Sequence, residues 1–420
     1  MRVLYLNLDR GIPVLGDKGG SVHVRSVVTA LTRLGHDVTL LCSRAGSGNA
    51  PPPGRLIELP VAVTPEDLLA EAMRLGLFPA ALDDPQTRRE VTLLAHDHAL
   101  PRRIEAALAA ADMRPDLVYE RHALFHIAGI AVAALLGVPR ILEVNAPLAV
   151  EQERYRGLVL RDLAVAREES SWRAADLAVA VSQDMHRHLR AASVAERQIL
   201  VAPNGVDTAL FRPDPQAGAR VRRSHRLGDD PVIGFVGSFK AWHGVEMLIE
   251  TICRLRGNWQ RLRLLAVGAG PLLAAAQERA AALGLAEAAV FTGAVPHDAV
   301  PAYLAATDFT VAPYPGRDGF YFSPLKIVES LAAGRAVVAP AIGQITALIE
   351  HGTTGLLYPP GDATACEDAI RRLLTEPQLC ARLGAQAAQR AQAAWDWTAV
   401  IGNVTAHPAA RRPPVADAAA

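Results

Sequence analysis

The sequence predicts an α/β chain of two successive domains, each a mostly parallel sheet wrapped by helices, and three observations carry that prediction. Short apolar runs rich in Val, Leu and Ile alternate with longer Ala/Leu/Arg segments of helical period, the pattern of βαβ units. The alternation runs through once and starts afresh near Val232. With 420 residues, the chain exceeds the roughly 250–300 residues at which a single core stops growing.

In the first half the expected strands are Val3–Leu8, Asp37–Leu41, Arg55–Leu59, Asp116–Tyr119, Arg140–Val144, Leu177–Val181 and Ile199–Val201. Helices fall between them, and residues 64–111 form a mainly helical insertion interrupted at Pro79 and Pro85. The turn Pro203-Asn204-Gly205-Val206-Asp207 leads into a Pro-, Arg- and Asp-rich segment, 211–230, that reads as a linker and entry helix. In the second half Val232–Val236, Leu262–Val267, Ala289–Thr292, Phe309–Ala312, Ala336–Ala339 and Gly355–Leu357 read as strands. The domains are therefore expected at 1–205 and 206–394, with a helix at 395–406 that can return to the first domain. Residues 407–420 lack periodicity and are expected to be a disordered tail.

Half the residues are hydrophobic, and 43 basic side chains balance 43 acidic ones. That suits a soluble globular protein and argues against a nucleic-acid partner. The opening MRVLYLNLDR reads as a first strand rather than a signal peptide. The longest apolar run, 127–138, is well short of the ~20 residues that span a bilayer. Cys42, Cys253, Cys366 and Cys380 show neither zinc-ligand nor disulfide-framework spacing. The expectation is a cytoplasmic protein, with peripheral contact at the inner face of the membrane left open. Only three of the 43 basic residues are lysine, namely Lys18, Lys240 and Lys326. Where arginine serves almost everywhere, a surviving lysine marks a place for a compact ammonium.

Ligands of open α/β sheets bind beyond the carboxyl ends of the strands, so the residues just after each strand hold the chemistry. After the first strand, Gly16-Asp17-Lys18-Gly19-Gly20-Ser21-Val22-His23 sets paired glycines before a helix whose first N–H groups can meet an anion. A turn capped by Ser21 explains the same residues equally well. After Val236, the loop Gly237-Ser238-Phe239-Lys240-Ala241-Trp242-His243-Gly244 crowds an ammonium and an imidazole together. Lys240 can contact a phosphate, and His243 can donate a proton or hydrogen bond to it. Gly268-Ala269-Gly270-Pro271 starts like a dinucleotide fingerprint, but Leu273 stands at the third glycine, so a tight turn with Pro271 at the first helical position fits better. Thr292-Gly293-Ala294-Val295-Pro296 offers backbone groups to a nucleobase, or is an ordinary turn. The strongest element is Asp318-Gly319-Phe320-Tyr321-Phe322-Ser323-Pro324-Leu325-Lys326-Ile327-Val328-Glu329. Pro324 would open a helix with free N–H groups, Lys326 adds a cation, and Glu329 lies one turn on. That spacing suits a diphosphate beside a ribose. In the first half, Tyr119-Glu120-Arg121-His122 and Glu143-Val144-Asn145-Ala146-Pro147 end two strands.

Taken in order, Gly19-Gly20 with His23, the turn 203–207, the loop 240–244, Gly268-Ala269-Gly270-Pro271 and the Lys326/Glu329 helix resemble family 4 glycosyltransferases of the GT-B fold. The resemblance implies two Rossmann-like domains facing across a cleft, the second holding the donor nucleotide and the first the acceptor. It implies retaining transfer from a UDP- or GDP-linked sugar to an acceptor hydroxyl. Glu329 would bind ribose, and the amides of Ser323 to Leu325 the diphosphate. Gly20, Ser238, Lys240, His243, Gly270, Val295, Pro324 and Lys326 would complete the donor site. His122 would sit near the reacting sugar, with Glu143 and Asn145 on the acceptor side, and His122, Lys240, Lys326 and Glu329 would serve catalysis. The chain departs from many relatives at Tyr321, where they carry a second glutamate, and in the phosphate clamp, where Ser238 and His243 stand.

No cofactor is expected, and no metal, because no Asp-x-Asp pair or His/carboxylate cluster is visible and lysines with helix N-termini can neutralise a diphosphate. A sugar-nucleotide epimerase of the same architecture, or an NAD(P)-dependent oxidoreductase resting on Gly268 and Gly270, stays open at this point. So does an anionic acceptor or lipid at Arg154, Arg156, Arg161, Arg167 and Arg173, although the interspersed acids favour a solvated helix.

Overall fold

The computed structural model describes residues 1–16, 18–48, 54–316 and 319–411; Asp17, Asp318 and the expected tail beyond 411 lie outside the described residues. The chain divides into two compact units. One comprises Met1–Pro203 together with the residues from Thr398 on, and the other Asn204–Trp397.

The first unit contains β1 (Arg2–Asn7), β2 (Asp37–Cys42), β3 (Arg55–Glu58), β4 (Leu117–Arg121), β5 (Arg140–Val144), β6 (Leu177–Ala180) and β7 (Ile199–Val201). They form one sheet in the order β3-β2-β1-β4-β5-β6-β7, parallel throughout. The second unit contains β8 (Val232–Val236), β9 (Arg263–Val267), β10 (Ala289–Gly293), β11 (Phe309–Val311), β12 (Ala336–Pro340) and β13 (Gly355–Tyr358). Its order is β10-β9-β8-β11-β12-β13, again parallel. Each strand falls within two residues of its expected bounds, because a strand buried on both faces reads as a continuous apolar run.

Both orders are doubly wound. In the first unit Leu4, Leu6 and Val118 pack against Leu100, Ile104 and Leu108 of the helix Pro85–Ala110. In the second, Phe235, Leu264 and Ala266 pack on Leu248, Ile249 and Ile252 of the helix Val245–Leu255. Ile327, Val328 and Leu331 of the helix Leu325–Ala332 cover Val337 and Ala339.

Some local readings change. The first helix starts at Gly19 with Lys18 as its cap residue, so Ser21 is buried inside the helix rather than capping it. The helix after β9 starts at Leu273, which leaves Pro271 in the preceding turn rather than at the first helical position. Residues 408–410, where the sequence shows no periodicity, form a short 3-10 turn with Ala410 buried. Among the described residues, no helix is long and apolar enough to cross a membrane.

Candidate functional site

In the second sheet the chain leaves β8 toward β9 on one side, while β11 lies on the other. The carboxyl ends of β8 and β11 therefore flank a topological switch point, where such sheets open a crevice for ligands. Three loops meet backbone to backbone beside it. Gly237 N donates to Val267 O at 2.9 Å, and Gly268 N to Gly293 O at 2.9 Å. A Cβ on Gly268 would lie 2.0 Å from Gly237 O, and one on Gly270 2.6 Å from Phe239 O. Those approaches account for the glycines that begin a dinucleotide fingerprint, which takes away the basis of the NAD(P) reading.

Lys326 rises from the second residue of the helix Leu325–Ala332 into this crevice. Its Nζ is buried and has no hydrogen-bond partner among the described residues. It lies 4.7 Å from the ring centre of Phe235 and 4.9 Å from that of Tyr314, and these aromatic faces attract the ammonium. Burial pushes the ammonium down to about 7, against a smaller upward pull from Glu329. A Cβ on Gly237 would come within 2.7 Å of Nζ, so the amine occupies space that only glycine leaves open.

His243 closes the same loop in a 3-10 turn, Ala241–His243. Its Nδ1 is held by the Ser238 carbonyl. Burial, followed by the charge of Lys326, pushes the ring down to about 3, so it is neutral near pH 7. Since a carbonyl can only accept, Nδ1 keeps the proton and Nε2 presents a lone pair. Without a bound anion His243 is therefore set to accept at Nε2, where the sequence suggested a donor of a proton or hydrogen bond. Lys240 is exposed, with its Nζ 4.7 Å from the Trp242 ring centre.

Asn204 clamps the entry to the Lys326 helix: its backbone N donates to Ser323 Oγ at 3.0 Å and its Nδ2 to Ser323 O at 2.7 Å. Pro324 occupies the cap position, one place before the helix it was expected to start. The leading amides from Leu325 on have no intrahelical acceptor, as at any helix start. Glu329, 8% exposed, accepts a hydrogen bond from His297 Nε2 at 2.7 Å. Val295 is half-buried and packs on the core beside the same loop.

The first unit shows a different polar centre at its own switch point, between β1 and β4. Glu143, at the end of β5, is buried and bonded to His23, with Arg121 Nη1 at 3.7 Å and Asn145 Nδ2 donating at 3.1 Å. Burial alone would raise its carboxyl, but His23 and Arg121 outweigh that and hold it at about 2. His122 Nε2 donates to Glu168 Oε1 at 2.9 Å, and Glu168 also accepts from Leu148 N at 2.7 Å. His122 Nδ1 is buried and has no partner among the described residues. Gly20 packs closely on Ile12, and a Cβ there would stand 3.0 Å from Ile12 Cδ1. Arg167 of the Arg-rich stretch is turned inward onto Asp97 and the Phe125 carbonyl, and Arg161 and Arg173 pair with Glu153 and Glu169.

The structure thus gathers Ser238, His243, Gly270 and Lys326 around one crevice and ties Glu329 to the loop of Val295. Sequence reasoning missed His297, the clamp by Asn204, and the aromatic walls Phe235 and Tyr314. His297 stands two residues beyond Val295, just past a strand end, and that position is the signal that singles it out among 13 histidines.

Two doubly wound parallel sheets carried in succession on one chain define the GT-B fold. Residues 18–210 match the model of Glycosyltransferase Family 4, and residues 230–376 that of Glycosyl transferases group 1. The chain belongs to the family 4 glycosyltransferases. It is 36% identical over 198 residues to a GDP-mannose-dependent α-(1-6)-phosphatidylinositol monomannoside mannosyltransferase of Mycolicibacterium smegmatis, covering 46% of this chain and 52% of that protein. The matched stretch therefore spans about half the length of that relative. A glycogen synthase of Mycobacterium tuberculosis is 29% identical, covering 95% of this chain and 92% of its own. Among solved structures, HepE of Anabaena in complex with UDP and glucose superposes with a TM-score of 0.70 at 17% identity, covering 96% of this chain and 98% of that one.

Proposed function

We infer that this protein transfers a sugar from a nucleoside-diphosphate sugar, UDP- or GDP-linked, to an acceptor hydroxyl with retention of anomeric configuration. The observation that carries the reading is the buried, unpartnered amine of Lys326 at the switch point. A desolvated ammonium without an anion is costly, and a diphosphate beside it supplies the partner. GDP-mannose dependence in the mannosyltransferase relative and bound UDP in HepE agree with such a donor.

In this reading the amides at the start of the Lys326 helix and the Lys326 ammonium hold the diphosphate, with Lys240 at the mouth of the loop. Ser238 and Gly270 line the loops, the backbone at Val295 meets the base, and Glu329 takes the ribose. His243 offers its Nε2 lone pair to a donor hydroxyl. The anomeric C–O bond to the diphosphate breaks as the acceptor oxygen bonds to the same face of the sugar. The acceptor proton passes to the departing phosphate, and the stabilised leaving group supplies most of the rate. His122 and Asn145 serve the acceptor side, and Glu143, bound on three sides, orients His23 and Arg121. In this reading turnover proceeds without a divalent metal, because Lys326, Lys240 and the start of the Lys326 helix neutralise the diphosphate.

The test is incubation with UDP- and GDP-sugars and hydroxyl acceptors, reading nucleoside diphosphate released and the first-formed anomer by proton NMR. Release in proportion to glycosylated acceptor, with an α product from an α donor, is expected, and chelator should not change the rate. Epimerised donor without acceptor turnover, an inverted anomer, or activity that needs added magnesium would each overturn the corresponding part.

A further inference from the structure

Glu329 is a nearly buried carboxylate on the helix Leu325–Ala332, one turn beyond Lys326. Among the described residues its carboxylate has one hydrogen-bond partner, His297 Nε2, which donates to Oε1 at 2.7 Å. An ionised carboxylate has lone pairs on both oxygens. Oε1 is thus engaged by the protein, while Oε2 receives no hydrogen bond from the described residues. His297 is itself held in place. It opens the 3-10 turn His297–Ala299 after β10, and its ring packs against buried Phe211 with centres 5.2 Å apart. Its side chain is 28% exposed, against 10% for Glu329, so the imidazole is the more solvent-accessible of the two.

We propose that His297 is the positioning residue for ribose recognition, pinning one oxygen of Glu329 so that the other is presented to the ribose hydroxyls. The proposal rests on Glu329 being the ribose ligand, as assigned above. A glutamate has three rotatable side-chain bonds, and an unpinned carboxylate would lose orientation each time the site emptied. A hydrogen bond from an imidazole that is anchored on Phe211 removes that freedom before the ligand arrives, which is how a site gains affinity without a new contact. His297 and Val295 belong to one loop, so the loop assigned to the base also sets the ribose ligand. Recognition of the two parts of the nucleoside is thereby coupled.

The experiment compares the tighter-binding of UDP and GDP with its 2′,3′-dideoxy analogue by calorimetry. The proteins are the full-length chain and its His297→Ala, His297→Gln and Glu329→Gln variants, each checked for an unchanged thermal midpoint. Hydrogen bonds to a charged group are strong enough that the unmodified protein should favour the ribonucleotide by ~10–10². His297→Ala should bring that preference to within ~3-fold by weakening the ribonucleotide alone, and His297→Gln, whose amide can still donate, should restore much of it. In turnover, donor KM should rise about tenfold in His297→Ala with kcat little changed. A merely structural link between loop and helix would weaken both nucleotides equally, and that outcome overturns the proposal. So does a preference lost in Glu329→Gln but kept in His297→Ala, which leaves the assignment of Glu329 standing. A ratio near one in the unmodified protein overturns both together.

Discussion

Arg140 in the first unit and Lys326 in the second are both buried cations, and their surroundings are opposite. Arg140 donates through Nε to Glu120 at 2.6 Å, through Nη1 to the Ser171 carbonyl at 3.0 Å and through Nη2 to Ser171 Oγ at 2.7 Å. Gly129 leaves room for this pair, since a Cβ there would lie 1.9 Å from Glu120 Oε2. Among the described residues the Lys326 amine has two aromatic faces and no hydrogen-bond acceptor, and it fills the space that Gly237 leaves open. A planar guanidinium forks onto several acceptors at once, whereas an ammonium is a compact charge that a pocket can leave waiting. A cation with all three nitrogens hydrogen-bonded holds the fold together; one whose nitrogen has no partner among the described residues can hold a ligand.

Three measurements test that contrast. The largest effect is expected in the first unit. Glu120→Ala strands Arg140 as an uncompensated buried charge, a change that costs about 3–5 kcal/mol. The thermal midpoint should fall by roughly 10 °C. The double variant Glu120→Leu/Arg140→Met should regain most of the loss, since an apolar replacement of a whole buried pair is often neutral. If Glu120→Ala leaves the midpoint in place, the pair is not the anchor described here.

Next comes Lys326. Both Lys326→Ala and Lys326→Arg should lower turnover by ~10²–10³, the usual cost of removing one oriented donor to developing charge. The arginine fails because its fork does not fit the space that Gly237 leaves. Lys326→Met should hold or raise the thermal midpoint, the reverse of Glu120→Ala, because it removes a desolvated amine. The exposed Lys18, whose amine donates to the Gly11 carbonyl among the described residues, serves as control through Lys18→Arg. Near-normal turnover of Lys326→Arg at saturating donor would dissolve the contrast.

The smallest effect is a pH dependence. Burial puts the empty-site Lys326 at about 7, below the ordinary value of 10.5. Above pH 7 the free protein holds mostly neutral amine, and a bound diphosphate favours the ammonium, so binding takes up a proton. Donor affinity should therefore be level below pH 7 and fall by up to about tenfold per unit above it. The sign for folding follows from the same depression: stability from the neutral amine is fully present above 10.5 and is lost as pH falls through 7. Titrating donor KM from pH 6 to 9 in the unmodified protein and in Lys326→Met checks this, since the variant should lose the slope. A slope that persists in Lys326→Met belongs to another group.

How far the sequence could be read differs between the two kinds of feature. Most of the thirteen strands of the described residues follow from apolar runs, since a parallel strand covered on both faces is apolar on both; the edge strand β3, Arg55–Glu58, has only two apolar residues. Lys326 was legible for another reason, because lysine is so rare in this chain that its survival carried information. The charge state of His243 was not legible. It depends first on burial and then on the charge of Lys326, which lies 83 positions away in the chain, and both act only once the loops are folded together. Glu143 likewise was expected on the acceptor side, and no spacing announces that it is bound by His23 and Arg121.

By itself the sequence determined the strands, the helices between them, two successive mostly parallel sheets and the loops that hold the chemistry. Each of those follows from a local period or a local turn, and neighbours in the chain are enough to specify it. Tertiary structure alone decided which loop residues face one another. His297 meets Glu329 across 32 residues and Asn204 meets Ser323 across 119. Such pairs exist because parallel strands bring distant carboxyl ends to one edge of a sheet, and a hydrogen bond made there leaves no periodic trace in the chain.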